Sequence, residues 1–140
     1  MRSFDEIEDH IDQLSVDHQS DLTNAAQKLL QLGEETLENW IFARGQTPTN
    51  ETREGFRLLA LHRQGARGEP SFNACRETCR ELVYHYNLMA ECNDEIQNAR
   101  ALKMGCLVAK HLCLFVSGKS QAEELGEFCC SSKPLRSNGN

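Results

Sequence analysis

Residues 71–116 read SFNACRETCRELVYHYNLMAECNDEIQNARALKMGCLVAKHLCLFV, and their periodicity decides the fold. Phe72, Cys75, Cys79, Leu82, Val83, Tyr86, Met89 and Ala90 keep to one face of a helix of 3.6-residue period, and Ser71 stands at the capping position. Cys92-Asn93-Asp94 interrupts the pattern. Ile96, Ala99, Leu102, Cys106, Ala109, Leu112, Cys113 and Val116 then resume it. Two long helices joined by so short a turn must run antiparallel. The second is apolar almost all round between 104 and 116. That places it at the centre of a bundle or in a subunit interface.

Upstream, Gly65-Ala66-Arg67-Gly68-Glu69-Pro70 is the strongest break in the chain. A helix before it carries Phe56, Leu59, Ala60 and Arg63, and Pro48 marks the place where a helix could begin. Earlier still, Ser3-Phe4-Asp5-Glu6 is a capping box. It opens a helix with Phe4, Ile7, Ile11 and Leu14 on one face. Leu22, Ala25, Ala26, Leu29 and Leu32 form another, which Gly33 ends or bends, and Leu37, Trp40 and Ile41 continue to a stop at Gly45. Downstream, Ser117-Gly118 closes the hairpin. Ser120-Gln121-Ala122-Glu123 caps a short helix with Leu125 and Phe128, and residues 131–140 form a flexible tail. The reading is all-α: residues 1–130 as one compact bundle of about five or six helices, built on the C-terminal hairpin.

Composition agrees. Of 140 residues, 39% are hydrophobic and 26% charged, with few strand formers and 3 prolines. The net charge of −6 is concentrated in residues 1–40, where ten acids face only Arg2 and Lys28. Such a chain disfavours nucleic acid as a general partner. The start of the chain has no apolar signal core, and the most apolar run, Met104 to Val116, is shorter than the ~20 residues of a spanning helix. No membrane contact and a cytoplasmic location are expected. The 7 cysteines are then free thiols, mostly in the core.

Four signals could carry chemistry. Cys75 and Cys79 lie one helical turn apart and could give two metal ligands, but no second pair completes a site, and no metal or cofactor is expected. Cys129-Cys130 is the other candidate for a thiol-based metal or redox-sensing role. Arg53, Arg57, Arg63, Arg67, Arg76 and Arg80 flank the glycine-rich break. Two helices around a turn invite a DNA-binding helix-turn-helix reading, but the connection is longer than the roughly three or four residues of that motif. The arginines alternate with Glu51, Glu54, Glu69, Glu77 and Glu81 in the manner of intrahelical ion pairs, with Glu77 and Glu81 beside Arg80 and Arg76. Finally, Arg57-x4-His62 and Arg80-x4-His85 resemble the active-site motif of HEPN-type ribonucleases, which are small helical bundles. That resemblance implies a histidine for proton transfer and an arginine on the phosphate. About one such pair arises by chance in this composition.

The leading functional reading is a small non-enzymatic regulator that binds a protein partner, such as an anti-activator or inhibitor of a transcription factor, and self-associates as a homodimer. A HEPN-like ribonuclease or toxin–antitoxin component is the second reading. Trp40, Ile41 and Phe42 are the first candidates for partner contact, because three consecutive large apolar side chains cannot all face inward from one helix. The acids Asp5, Glu8, Asp9 and Asp12 on the first helix are the second.

Overall fold

In the computed structural model, which describes residues 2–16, 22–67, 76–91 and 94–122, the capping box at the start of the chain is formed as expected. The Ser3 amide donates to Glu6 Oε1 at 2.9 Å, and the Glu6 amide donates to Ser3 Oγ at 3.2 Å. The first bond holds the Glu6 carboxyl below its ordinary pKa. Helix α1 (Phe4–Val16) follows, with Ile7, Ile11 and Leu14 buried.

Helix α2 runs unbroken from Leu22 to Ala43, so Gly33 does not end it. Gly33 serves packing instead. A Cβ there would come within 2.7 Å of Leu82 Cδ2, so its bare backbone lets the next helices approach. The expected stop at Gly45 is present: Gly45 has φ +79°, its amide donates to the Phe42 carbonyl at 2.9 Å, and the Gln46 amide reaches the Ile41 carbonyl at 3.1 Å. This pair of bonds is the Schellman closure that a left-handed residue makes available.

Pro48 does not begin a helix. Residues 46–52 run without one, held by α3 (Arg57–Ala66): Gln64 donates to the Thr47 carbonyl and accepts from the Thr49 amide, both at 2.8 Å. A tight turn, Arg53-Glu54-Gly55-Phe56, intervenes, with both central residues at positive φ and reciprocal 3.0 Å backbone bonds between Arg53 and Phe56. These are the marks of a type I′ turn. The inward face of α3 is Leu58, Leu59, Leu61 and His62. Ala60 is only half-buried and Arg63 exposed, which corrects the register read from the sequence.

The hairpin consists of α4 (Arg76–Glu91) and α5 (Glu95–Ala122). Cys79, Leu82 and Met89 of α4 are buried, while Ala90 is exposed. On α5, Leu102, Cys106, Ala109, Leu112, Cys113 and Val116 face inward as expected. Ile96 and Ala99 do not; Asn98 and Ala101 take the inward positions. Ser117-Gly118 does not stop the helix, which continues to Ala122 with Lys119 buried. The five helices and the absence of any strand among the described residues make the protein an all-α bundle. Ser71, Phe72, Cys75, Cys92, Glu123, Leu125, Phe128, Cys129, Cys130 and the tail 131–140 lie outside the described residues.

Helix α5 packs on α4, α2 and α1, so the hairpin is the frame on which the N-terminal helices sit. Gly105 allows this closeness: a Cβ there would fall 2.6 Å from Leu29 Cδ2 and 3.5 Å from His85 Cβ. Over Glu95–Gln121 the helix has the length and mean hydropathy (1.4) of one able to cross a membrane, which the shorter 104–116 run did not reveal. Half of that apolar window is buried inside the bundle, as in a core helix.

Candidate functional site

Two surfaces concentrate chemistry that the core does not absorb. The first is the outer face of α5. At 100° per residue, Ile96, Arg100, Lys103, Met104, Leu107, His111 and Leu114 fall within about 100° of one another. Leu107 is 62% exposed, Ile96 69%, Leu114 50% and Met104 48%. Arg100 and Lys103 are exposed among them, and no carboxylate among the described residues pairs with either. The apolar run read from the sequence is therefore buried on one side of α5 only. On α4, Tyr84 and Leu88, one turn apart, are exposed as well.

The second surface is a cleft of about 300 Å³ lined by Arg53, Leu59, His62, Arg63, Ala66, Arg67, Arg76 and Arg80. Its walls come from α3, the start of α4 and the 53–56 turn. Arg80 does not pair with Glu77 along its own helix as the sequence spacing suggests. Its guanidinium donates to both oxygens of Glu54 at 2.8 and 3.1 Å. The bidentate bond lowers the Glu54 pKa and raises that of Arg80. The turn presents Glu54 to α4, and that geometry outweighs a spacing rule worth only a few tenths of a kcal/mol.

The two Arg-x4-His pairs are split by the fold. Arg57 is held away by acids of α2, with Glu38 at 2.5 Å and Glu34 at 3.3 Å, and its Nε donates to the Thr49 carbonyl at 2.8 Å. Glu34 still has a raised pKa, because burial outweighs the pull of Arg57. His62 lines the arginine cleft instead. His85 lies against α5 at Gly105, half-buried, with its Nδ1 lacking a hydrogen-bond partner. Burial lowers its pKa against the opposing pull of Glu81.

The candidates from the 40–42 triplet separate cleanly. Trp40 is 0% exposed and Ile41 is likewise in the core, so neither offers a contact surface in the folded chain; Phe42 is 54% exposed. Arg44 sits over the Trp40 ring at 5.0 Å, closing that side. The acids of α1 divide too. Lys110 of α5 bonds Asp12 at 3.0 Å and approaches Glu8 at 3.7 Å, so these two are engaged within the fold, whereas Asp5 and Asp9 remain exposed.

The thiols that the structure describes are buried and held in the protonated form. Burial pushes Cys79 up to about 12 and is the leading cause of values of about 11 at Cys106 and Cys113. The Cys113 thiol donates to the Phe4 carbonyl at 3.6 Å, tying α5 to the start of α1. Among the described residues no group of three or more His, Cys, Asp and Glu side chains could hold a metal ion.

The sequence offers the 104–116 helix as a bundle centre or a subunit interface, without telling which of its faces is open. The signal for this first surface was the all-round apolar run. The signal for the second was the arginine count on either side of the 65–70 break, which was assigned to ion pairs. No family model matches the chain, and no curated protein or solved structure does so either.

Proposed function

We propose that the protein is a non-enzymatic binding module that covers an apolar, acid-flanked surface of a protein partner with the outer face of α5. The observation that carries this reading is the exposed stripe of Ile96, Met104, Leu107 and Leu114. Four large apolar side chains aligned on one helix face form the kind of contiguous patch that interfaces use and solvated surfaces avoid. Arg100 and Lys103 within the stripe ask for acids on the partner rather than a wholly apolar counterpart. The chain's excess of carboxylate lies elsewhere, on α1 and α2. A regulator of this kind acts by occupying the partner's surface and needs no catalytic group.

The test is a photo-crosslinking amino acid in place of Leu107, with Gln27 on the exposed side of α2 as the control position. The expected result is an adduct with one other protein in its host cell. The adduct should lie at a segment of apolar and acidic residues, and it should disappear when Leu114→Asp is added. An adduct only with a second copy of this chain, an adduct with lipid, or none above the control would overturn the proposal.

A further inference from the structure

We propose that the cleft between α3, α4 and the 53–56 turn is a binding site for the phosphate groups of a small anionic ligand. The inference does not rest on the reading of α5.

The first argument is electrostatic. The chain carries 21 acids against 15 Lys and Arg residues, so a partner for each cation is easily supplied. Arg2 pairs with Glu35, Arg57 with Glu34 and Glu38, Lys110 with Glu8 and Asp12, while Arg100 and Lys103 stand on α5 with no carboxylate among the described residues at ion-pair distance. At the cleft such cations converge: among the described residues Arg80 alone of its five arginines has a carboxylate at ion-pair distance, and none pairs with Arg53, Arg63, Arg67 or Arg76. Glu51 borders the adjoining groove that Arg53, Arg63 and Arg67 also line, and Glu77 acts on Arg80 along α4. Among the described residues, setting Glu51, Glu54 and Glu77 against the five guanidiniums still leaves an excess of positive charge. Like charges gathered round one concavity repel, and a bound anion would relieve that repulsion.

The second argument is preorganisation. Glu54 adopts φ +55°, a left-handed conformation that a residue with a side chain rarely takes. It is held there by the two Arg53–Phe56 backbone bonds and by its own bidentate pair with Arg80. Phe56 packs edge-on against Tyr86 at 5.6 Å, fixing the turn to α4. The wall carrying Arg53 is thus braced before any ligand arrives. Strain held in place this way is typical of binding sites.

The third argument is chemical fit. Guanidinium forks match phosphate oxygens in bidentate geometry, better than lysine would. The volume of about 300 Å³ is at the small end of ligand pockets and suits one or two phosphate groups. Leu59 and Ala66 add an apolar wall for a group attached to them.

The test uses inorganic pyrophosphate and the full chain, by titration calorimetry and thermal unfolding, with chloride holding the ionic strength constant. One pyrophosphate should bind per chain and raise the unfolding temperature. Arg63→Gln combined with Arg67→Gln should weaken binding at least tenfold. Without pyrophosphate, that variant should unfold at the same temperature as the parent or higher, because repulsion has been removed. Arg76→Gln, on a different helix, should weaken binding as well. ADP binding tighter than pyrophosphate would identify a nucleotide, its remaining parts against Leu59 and Ala66; equal affinity would assign the site to phosphate alone. No shift beyond that of chloride, or undiminished binding by both variants, overturns the proposal. So does tight binding of single-stranded RNA that pyrophosphate does not displace.

Discussion

The two faces of α5 have nearly the same apolar character and opposite fates. Leu112 is fully buried against neighbouring helices, whereas Leu107, little more than one turn away, stands in the open. The same contrast recurs on α2, between Trp40 and Phe42. Hydrophobicity alone therefore does not say what a side chain contributes. An inward leucine stabilises the fold by leaving water and filling space. An outward one has no folding role that the structure shows and is free to serve recognition.

The comparison is broken most decisively by truncation. Trp40→Ala should destabilise the protein by about 3–5 kcal/mol and Leu112→Ala by about 2–5 kcal/mol, through lost transfer energy and the cavity left behind. Phe42→Ala and Leu107→Ala should each stay within about 0.5 kcal/mol, as surface substitutions do. Chemical denaturation of the four variants measures all of this. A Leu107→Ala variant that loses as much as Leu112→Ala would show that the outer face is not open.

A smaller effect is expected at Gly105, where α5 is closest to its neighbours. Gly105→Val should destabilise by about 1–3 kcal/mol, because the added atoms meet Leu29 and His85 in a filled core. The same substitution at Gly55, where φ is +87° and nothing lies within 4 Å of a Cβ, would act through backbone strain alone. A loss at Gly105 within about 0.5 kcal/mol would mean that the helix approach there is looser than described.

Thiol chemistry sharpens the contrast without changing stability. Cys79, Cys106 and Cys113 should react with iodoacetamide at pH 8 far more slowly in the native protein than after unfolding, since burial keeps each as the protonated thiol. Mass spectrometry of alkylated peptides resolves each site. Prompt native labelling of Cys113 would show that α1 does not stay closed over α5.

The smallest expected effect is a pH dependence from His85, which packs at the α4–α5 contact. Its folded pKa lies below the ordinary 6.5, chiefly from burial, so the unfolded chain binds its proton more readily. Its contribution is fully present above about 6.5 and is lost as pH falls through the lowered value. His85→Gln should flatten that part of the stability–pH curve. Glu54 behaves in the same direction at lower pH. Its pKa is depressed by Arg80, so the bridge contributes above about 4.5 and fades as pH falls below it. Its exposure keeps that contribution small.

Much of this was legible in the sequence because it depends on local periodicity. The helical class, the hairpin, the Ser3–Glu6 capping box and the Gly45 stop follow from residues a few positions apart, whose interactions are fixed by helix geometry alone. The inward set of α5 from Leu102 to Val116 was legible for the same reason. Ile96 and Ala99 were misassigned because apolar side chains lie on both faces of that helix, and periodicity then cannot tell which face is covered. Gly33 reads as a break because a glycine's local effect is to loosen a helix. Only neighbouring helices show that it, like Gly105, permits close approach. The pairing of Arg80 with Glu54 rather than Glu77 required the turn at 53–56 to be folded first, and the separation of Arg57 from His62 required α2. The sequence by itself determined the helices and the order in which they follow. Tertiary structure alone decided which charges cancel, which arginines are left around one cleft and which face of α5 remains open, because those outcomes depend on which distant segments meet.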